Sequence, residues 1–110
     1  MAKAQVFWAE SARADLFAAV DAMRVAAPKR TTKLMTKLVS AAQQLADFPE
    51  SGRRPREITA DPLMREIVVE QFRVFYAYTP ETHLVEVLAV FHSRRDVAEL
   101  LRSRPGPKTE

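Results

Sequence analysis

The chain has 110 residues, 47% of them hydrophobic, which is enough for one modest core and leaves no room for a second domain. It has no cysteine and only two histidines, His83 and His92, so disulfide frameworks and thiolate zinc sites are excluded and neither a metal nor another cofactor is expected. A formal charge of +3 and a pI near 9.6 permit an anionic partner without requiring one; with no signal segment and no bilayer-length apolar run, the reading is a soluble cytoplasmic protein.

"AQVFW" (Ala4 to Trp8) is short and β-prone, and Ser11 behind it is placed to cap a helix. In "SARADLFAAVDAMRVAA" the residues Ala12, Leu16, Ala19 or Val20, and Met23 recur at helical spacing, and Pro28 ends this helix or starts the next. From Lys29 to Phe48 the positions Leu34, Leu38, Ala41, Leu45 and Phe48 keep that period until Pro49 stops it. The short link predicts an antiparallel helical hairpin. "PESGRRPREITADP" collects prolines, a glycine and arginines and reads as a loop. "MREIVVE", "FRVFYAYT" and "LVEVLAVF" follow as strands, turning at Glu70–Gln71 and at Pro80–His83. The third run is apolar at nearly every position, as a central strand covered on both faces would be. "RRDVAELLR" suits a short last helix, and residues 103–110 read as a frayed tail outside a single domain spanning 1–102.

The predicted order β-α-α-β-β-β, with a short C-terminal helix, makes an α+β domain. Its helical hairpin packs on one face of a small, mainly antiparallel sheet and leaves the other face partly open. Nine of the twelve arginines lie after residue 50, whereas four of the five lysines precede it. Arginine offers a planar fork of donors for phosphates and carboxylates, so recognition is expected in the second half.

The succession "FWAESARADL", "LADFPESGRRPRE", "REIVV", "FRVFYAY" and "VEVLAVFHSRRD" resembles, in order and spacing, toxins of the ParE/RelE superfamily of bacterial type II toxin–antitoxin systems. The match runs from Val6 to Leu101, about nine-tenths of the chain. The resemblance implies the same fold, growth arrest by the free toxin and a cognate ParD-like antitoxin. ParE-like members poison DNA gyrase, whereas RelE-like members cut messenger RNA on the ribosome without a metal. The ending "VFHSRRD" looks more like the ParE branch. The second half has no lysine before Lys108 and no tyrosine after Tyr78, which argues against ribosome-dependent cleavage.

Each candidate residue has two readings. Imidazole is a common proton carrier, so His92 can move a proton to or from a ribose hydroxyl, with Arg65, Arg73 or Arg95 holding the phosphate; otherwise it ends a strand. Arg94 and Arg95 can grip target carboxylates or phosphates, or Asp96 in the first helical turn can pair with them within the fold. Arg53 and Arg54 lie in a loop, where binding residues concentrate, beside Glu50 and Glu57, which can make them plain surface. Arg65 and Arg73 need a partner or an open face, and adjacent strands can bring both to one surface. Phe17 and Val20, with Met35 and Val39, exceed what one core-facing stripe needs, and the resemblance supplies an antitoxin to cover them. The expectation is gyrase inhibition through arginine contacts rather than enzymatic chemistry. The alternatives are a RelE-like endoribonuclease acting on ribosome-bound messenger RNA, and a free-standing nucleic-acid-binding module.

Overall fold

The computed structural model describes residues 3–57, 61–93 and 96–102. Its elements are β1 (Gln5–Trp8), α1 (Glu10–Arg24), α2 (Pro28–Gln43) with a 3-10 turn at Gln44–Ala46, β2 (Met64–Val69), β3 (Phe72–Thr79), β4 (Leu84–His92) and α3 (Val97–Arg102). This is the expected α+β order, with a short terminal helix. The expected tail, residues 103–110, lies outside the described residues.

The strands form one sheet in the order β1-β4-β3-β2. β1 runs parallel to β4, and the β2–β3 and β3–β4 pairs are antiparallel. The run that is apolar at nearly every position therefore occupies the centre, where both its faces are buried. On the helical side, Ala12 and Leu16 of α1 and Leu34, Leu38 and Ala42 of α2 pack on Val74, Val87 and Val90. On the far side, Phe75, Ala77, Ala89 and Phe91 are covered by Val97 of α3, with Leu63 and Leu100 alongside. α3 thus closes part of the face expected to be open, because its apolar residues three apart fall on one side of even a two-turn helix. A bulge in β4 assists: Phe75 opposes Ala89 while Tyr76 opposes Val87, so Leu88 is supernumerary and joins this second cluster.

Ser11 does not cap α1; the N-cap position is Ala9, which makes no side-chain cap. The physical reason lies in β4. Backbone bonding to β1 ends with Ala9 N–H donating to the Val87 carbonyl, and the next β4 groups have no strand beside them. Ser11 and Asp15, one turn apart on α1, take over: the Ser11 hydroxyl donates to the Leu88 carbonyl (3.1 Å) and the Asp15 carboxylate accepts from Val90 N–H (2.9 Å).

Pro28 sits at the first turn of α2, where its missing N–H costs nothing. Three residues link the helices, which pack as the expected hairpin. α2 ends earlier than its periodicity suggests. The 3-10 turn swings Phe48 out of the stripe, and it is 65% exposed. Glu70 and His83 adopt left-handed backbone, with φ of 57° and 58°, at the two hairpin turns expected there. The Glu70 carboxylate accepts from Lys37 Nζ at 2.6 Å, tying the β2–β3 turn to α2.

Replacing Asp15 by alanine removes the acceptor for a part-buried β4 amide and is expected to cost about 1–3 kcal/mol in urea unfolding. Asp21→Ala, which loses only an exposed pair with Arg24, is expected to change stability by less than about 1 kcal/mol.

Candidate functional site

The arginine-bearing loop after α2 is anchored from below by Tyr76. Its hydroxyl accepts from Gly52 N–H (2.9 Å) and donates to the Pro49 carbonyl (2.8 Å); burial pushes the phenol's pKa up. A Cβ at position 52 would fall 2.6 Å from that hydroxyl and 2.7 Å from the Glu66 carbonyl, so the backbone passes where only glycine fits. Arg65 Nη1 donates to the Gly52 carbonyl (2.7 Å) and, at 3.2 Å, to that of Glu50. Arg53 and Glu66 exchange both backbone hydrogen bonds, so the loop adds a one-residue bridge to the free edge of β2.

Glu66 is the pivot. Its side chain is 1% exposed, and a buried carboxylate must be paired. Arg73 Nε reaches one oxygen at 2.6 Å and Arg53 Nε the other at 2.7 Å. The two Nη atoms of Arg73 then make a bidentate pair with Glu57, both at 2.9 Å, and its guanidinium lies 5.0 Å from the centre of the Phe75 ring. The hydrogen bonds from Arg73 hold the Glu57 carboxyl at about 2, well below its ordinary 4.5, and Glu57 in turn raises Arg73.

Arg65 and Arg73 do not share a surface. Arg65 opposes Tyr76 and Arg73 opposes Val68; the two β2 positions, 65 and 68, differ by an odd number, so the side chains leave opposite faces. Arg65 serves the loop on the helical side, and Arg73 the carboxylate cluster on the far side. His92 ends β4 on the helical side, its ring edge-on to Phe72 at 5.5 Å. The structure therefore does not bring His92, Arg65 and Arg73 together. Arg53 keeps most of its side chain in solvent, and Arg54 is exposed on the same loop. Arg94 and Arg95 lie outside the described residues. Asp96 precedes α3, and its carboxylate accepts from Glu99 N–H at 3.2 Å, as an N-cap does.

Of the four apolar candidates on the hairpin, Phe17 (61%), Met35 (36%) and Val39 (43%) are exposed, while Val20 is half-buried against the core. Val20, Met35 and Val39 line a groove of about 580 Å³ between α1 and α2, edged by Arg24, Thr32 and Ser40. Sequence reasoning missed the carboxylate cluster and the Tyr76–Gly52 anchor. The acids interleaved with the loop arginines, Glu57 and Glu66, were the available signal.

Residues 6–97 match the model of a family described as the ParE toxin of type II toxin–antitoxin system, parDE. Toxin RelE2 of Caulobacter vibrioides is 34% identical over 92 residues, covering 84% of this chain and 98% of that protein. Among solved structures, the chromosomal ParDE system from P. aeruginosa superposes with a TM-score of 0.67 at 20% identity, covering 82% of this chain and 96% of the other. The RelBE2 toxin–antitoxin complex of Mycobacterium tuberculosis gives 0.59 at 21% identity, covering 82% and 98%. A mutant of E. coli toxin RelE in the free state gives 0.61 at 15% identity, covering 94% and 99%. At these identities the superpositions establish the fold.

Arg73→Ala removes the buried partner of Glu66 and frees Glu57 as well, and is expected to cost about 3 kcal/mol or more, whereas Arg53→Ala removes a 64% exposed partner from one Glu66 oxygen and is expected to cost less, about 1.5–3 kcal/mol. The pH dependence has a definite sign. Glu57 is depressed in the folded state, so its stabilisation is complete above pH 4.5 and declines as pH falls towards 2. Acid titration of unfolding checks this, since Glu57→Gln should flatten the profile in that window.

Proposed function

We propose, proceeding from the chain's membership of the ParE toxin family of type II toxin–antitoxin systems, that it arrests growth by binding DNA gyrase in the cytoplasm and is neutralised by a ParD-like antitoxin. Membership makes the chain a toxin of the ParE/RelE superfamily. One observation carries it. Of the three arginines that could hold a scissile phosphate for His92, two are committed to the fold, Arg73 to Glu57 and Glu66 and Arg65 to two loop carbonyls, and the third, Arg95, lies outside the described residues. A nuclease needs donors and a proton carrier converging within hydrogen-bond reach, and among the described residues that set is dispersed over two faces. A binding inhibitor needs only presented donors and apolar surface.

The antitoxin reading rests on the hairpin groove. Met35 and Val39, one turn apart on α2, line it with Val20 of α1, and the exposed Phe17 lies three residues before Val20 on the same helix, a set that suits the apolar face of a partner helix. The P. aeruginosa and M. tuberculosis neighbours are toxin–antitoxin systems by name, which agrees with such a partner.

Induced alone, the protein is expected to arrest growth and to inhibit supercoiling by purified gyrase. Arg95→Ala should remove most of this effect and His92→Gln should keep it, because glutamine retains hydrogen bonding but cannot take up or release a proton near neutral pH. Harmless expression, or gyrase left fully active, contradicts the proposal. Phe17→Asp and Met35→Asp should each weaken antitoxin rescue while leaving thermal unfolding nearly unchanged, and full rescue would remove these residues from the interface.

A further inference from the structure

α2 carries Lys29, Arg30, Lys33 and Lys37 and no acidic residue. Lys33 and Lys37, with Arg30, edge a hollow of about 230 Å³ against Glu70, Gln71 and Phe72 of the β2–β3 turn. A second hollow of about 560 Å³ adjoins it, sharing Met23, Arg30, Gln71 and Phe72, and runs on to His92. Together they form one trough along the side of the molecule, away from the α1–α2 groove. Its floor is apolar, with Met23 and Phe72 in the part common to both hollows. Its α1 wall is made of small side chains, Ala18 and Ala22 with Ala26 just beyond the helix, so another chain's backbone can approach closely.

The charges are unbalanced. Asp15 at one end already accepts from Val90 N–H, and Glu70 at the other is taken by Lys37. Arg30 and Lys33 are exposed and have no ion-pair partner among the described residues. Two available cations above an apolar floor call for an occupant with carboxylates beside an apolar side chain. The narrow apolar bed and alanine wall favour a polypeptide over a phosphate backbone, which would leave that floor uncovered.

We infer that this trough receives an acidic segment of the target protein, its apolar side chain resting on Met23 and Phe72 and its carboxylates meeting Arg30 and Lys33. The inference rests on the proposed reading that the target is a protein, gyrase, and it adds a target contact along α2 to the arginine contacts expected in the second half.

The test uses the full chain in three variants, Arg30→Glu with Lys33→Glu, Ala22→Trp, and Arg13→Glu as a control elsewhere on α1. Each is measured for association with purified gyrase, for growth arrest and for complex formation with the antitoxin. The charge reversal removes the attraction and the tryptophan fills the trough, at exposed positions that do not enter the core. Both should weaken gyrase association by roughly tenfold or more and relieve arrest, with antitoxin binding and the control unchanged. Gyrase association that survives both substitutions overturns the inference while leaving the functional reading standing. Antitoxin binding lost with gyrase binding retained also overturns it, assigning the trough to the antitoxin. Wild-type protein that does not associate with gyrase at all overturns the functional reading and this inference together.

Discussion

A single buried carboxylate sets the character of the second half of this molecule. Glu66 sits on an edge strand with its side chain out of water, and the desolvation it suffers there is tolerable only because two guanidinium groups reach its two oxygens. Satisfying it draws Arg73 inward, and Arg73 in turn recruits Glu57. The same residue's backbone holds Arg53, so the loop is bound to the sheet edge through both side chain and main chain. The arginine loop owes its position to this cluster, to Tyr76 beneath Gly52 and to Arg65. Arginines that look in sequence like a binding surface are in part the internal fastening of the loop that carries them.

A parallel economy governs the helical side. β1 is too short to pair with the full length of β4, and the bulge at Leu88 falls where the pairing stops. α1 supplies the missing partners from Ser11 and Asp15, which fixes where the helix crosses the sheet and where the hairpin's outer groove faces. The surfaces left for partners follow from these two constraints: an apolar groove between the helices, and an alanine-walled trough where α1 passes the end of β4.

Periodicity made the element order, the central place of β4 and the hairpin legible in the sequence, because spacings of two and of three to four residues are local quantities. The remainder depended on register. That Arg65 and Arg73 face opposite ways follows from an odd separation within one strand, which becomes informative only once the pairing of β2 with β3 is known. Ser11 looked like a cap because capping is a local role, whereas its acceptor is a carbonyl seventy-seven residues away. Phe48 continued a helical period past the point where a 3-10 turn ended it. In the candidate site, the exposure of Phe17, Met35 and Val39 agrees with the surplus over one stripe, while the commitment of Arg73 was hidden because sequence does not reveal which acid an arginine meets.

On the proposed reading the toxin grips its target and cuts nothing, since two of the arginines a nuclease would set beside His92, Arg65 and Arg73, are held by the fold. The most direct measurement incubates the purified protein with ribosomes translating a defined message and maps the message ends at single-nucleotide resolution. Every message is expected intact at protein concentrations that inhibit gyrase. A discrete cut within the ribosome-bound codon, appearing only with the wild-type protein and lost in His92→Gln, would contradict it and place the chain with the ribosome-dependent nucleases.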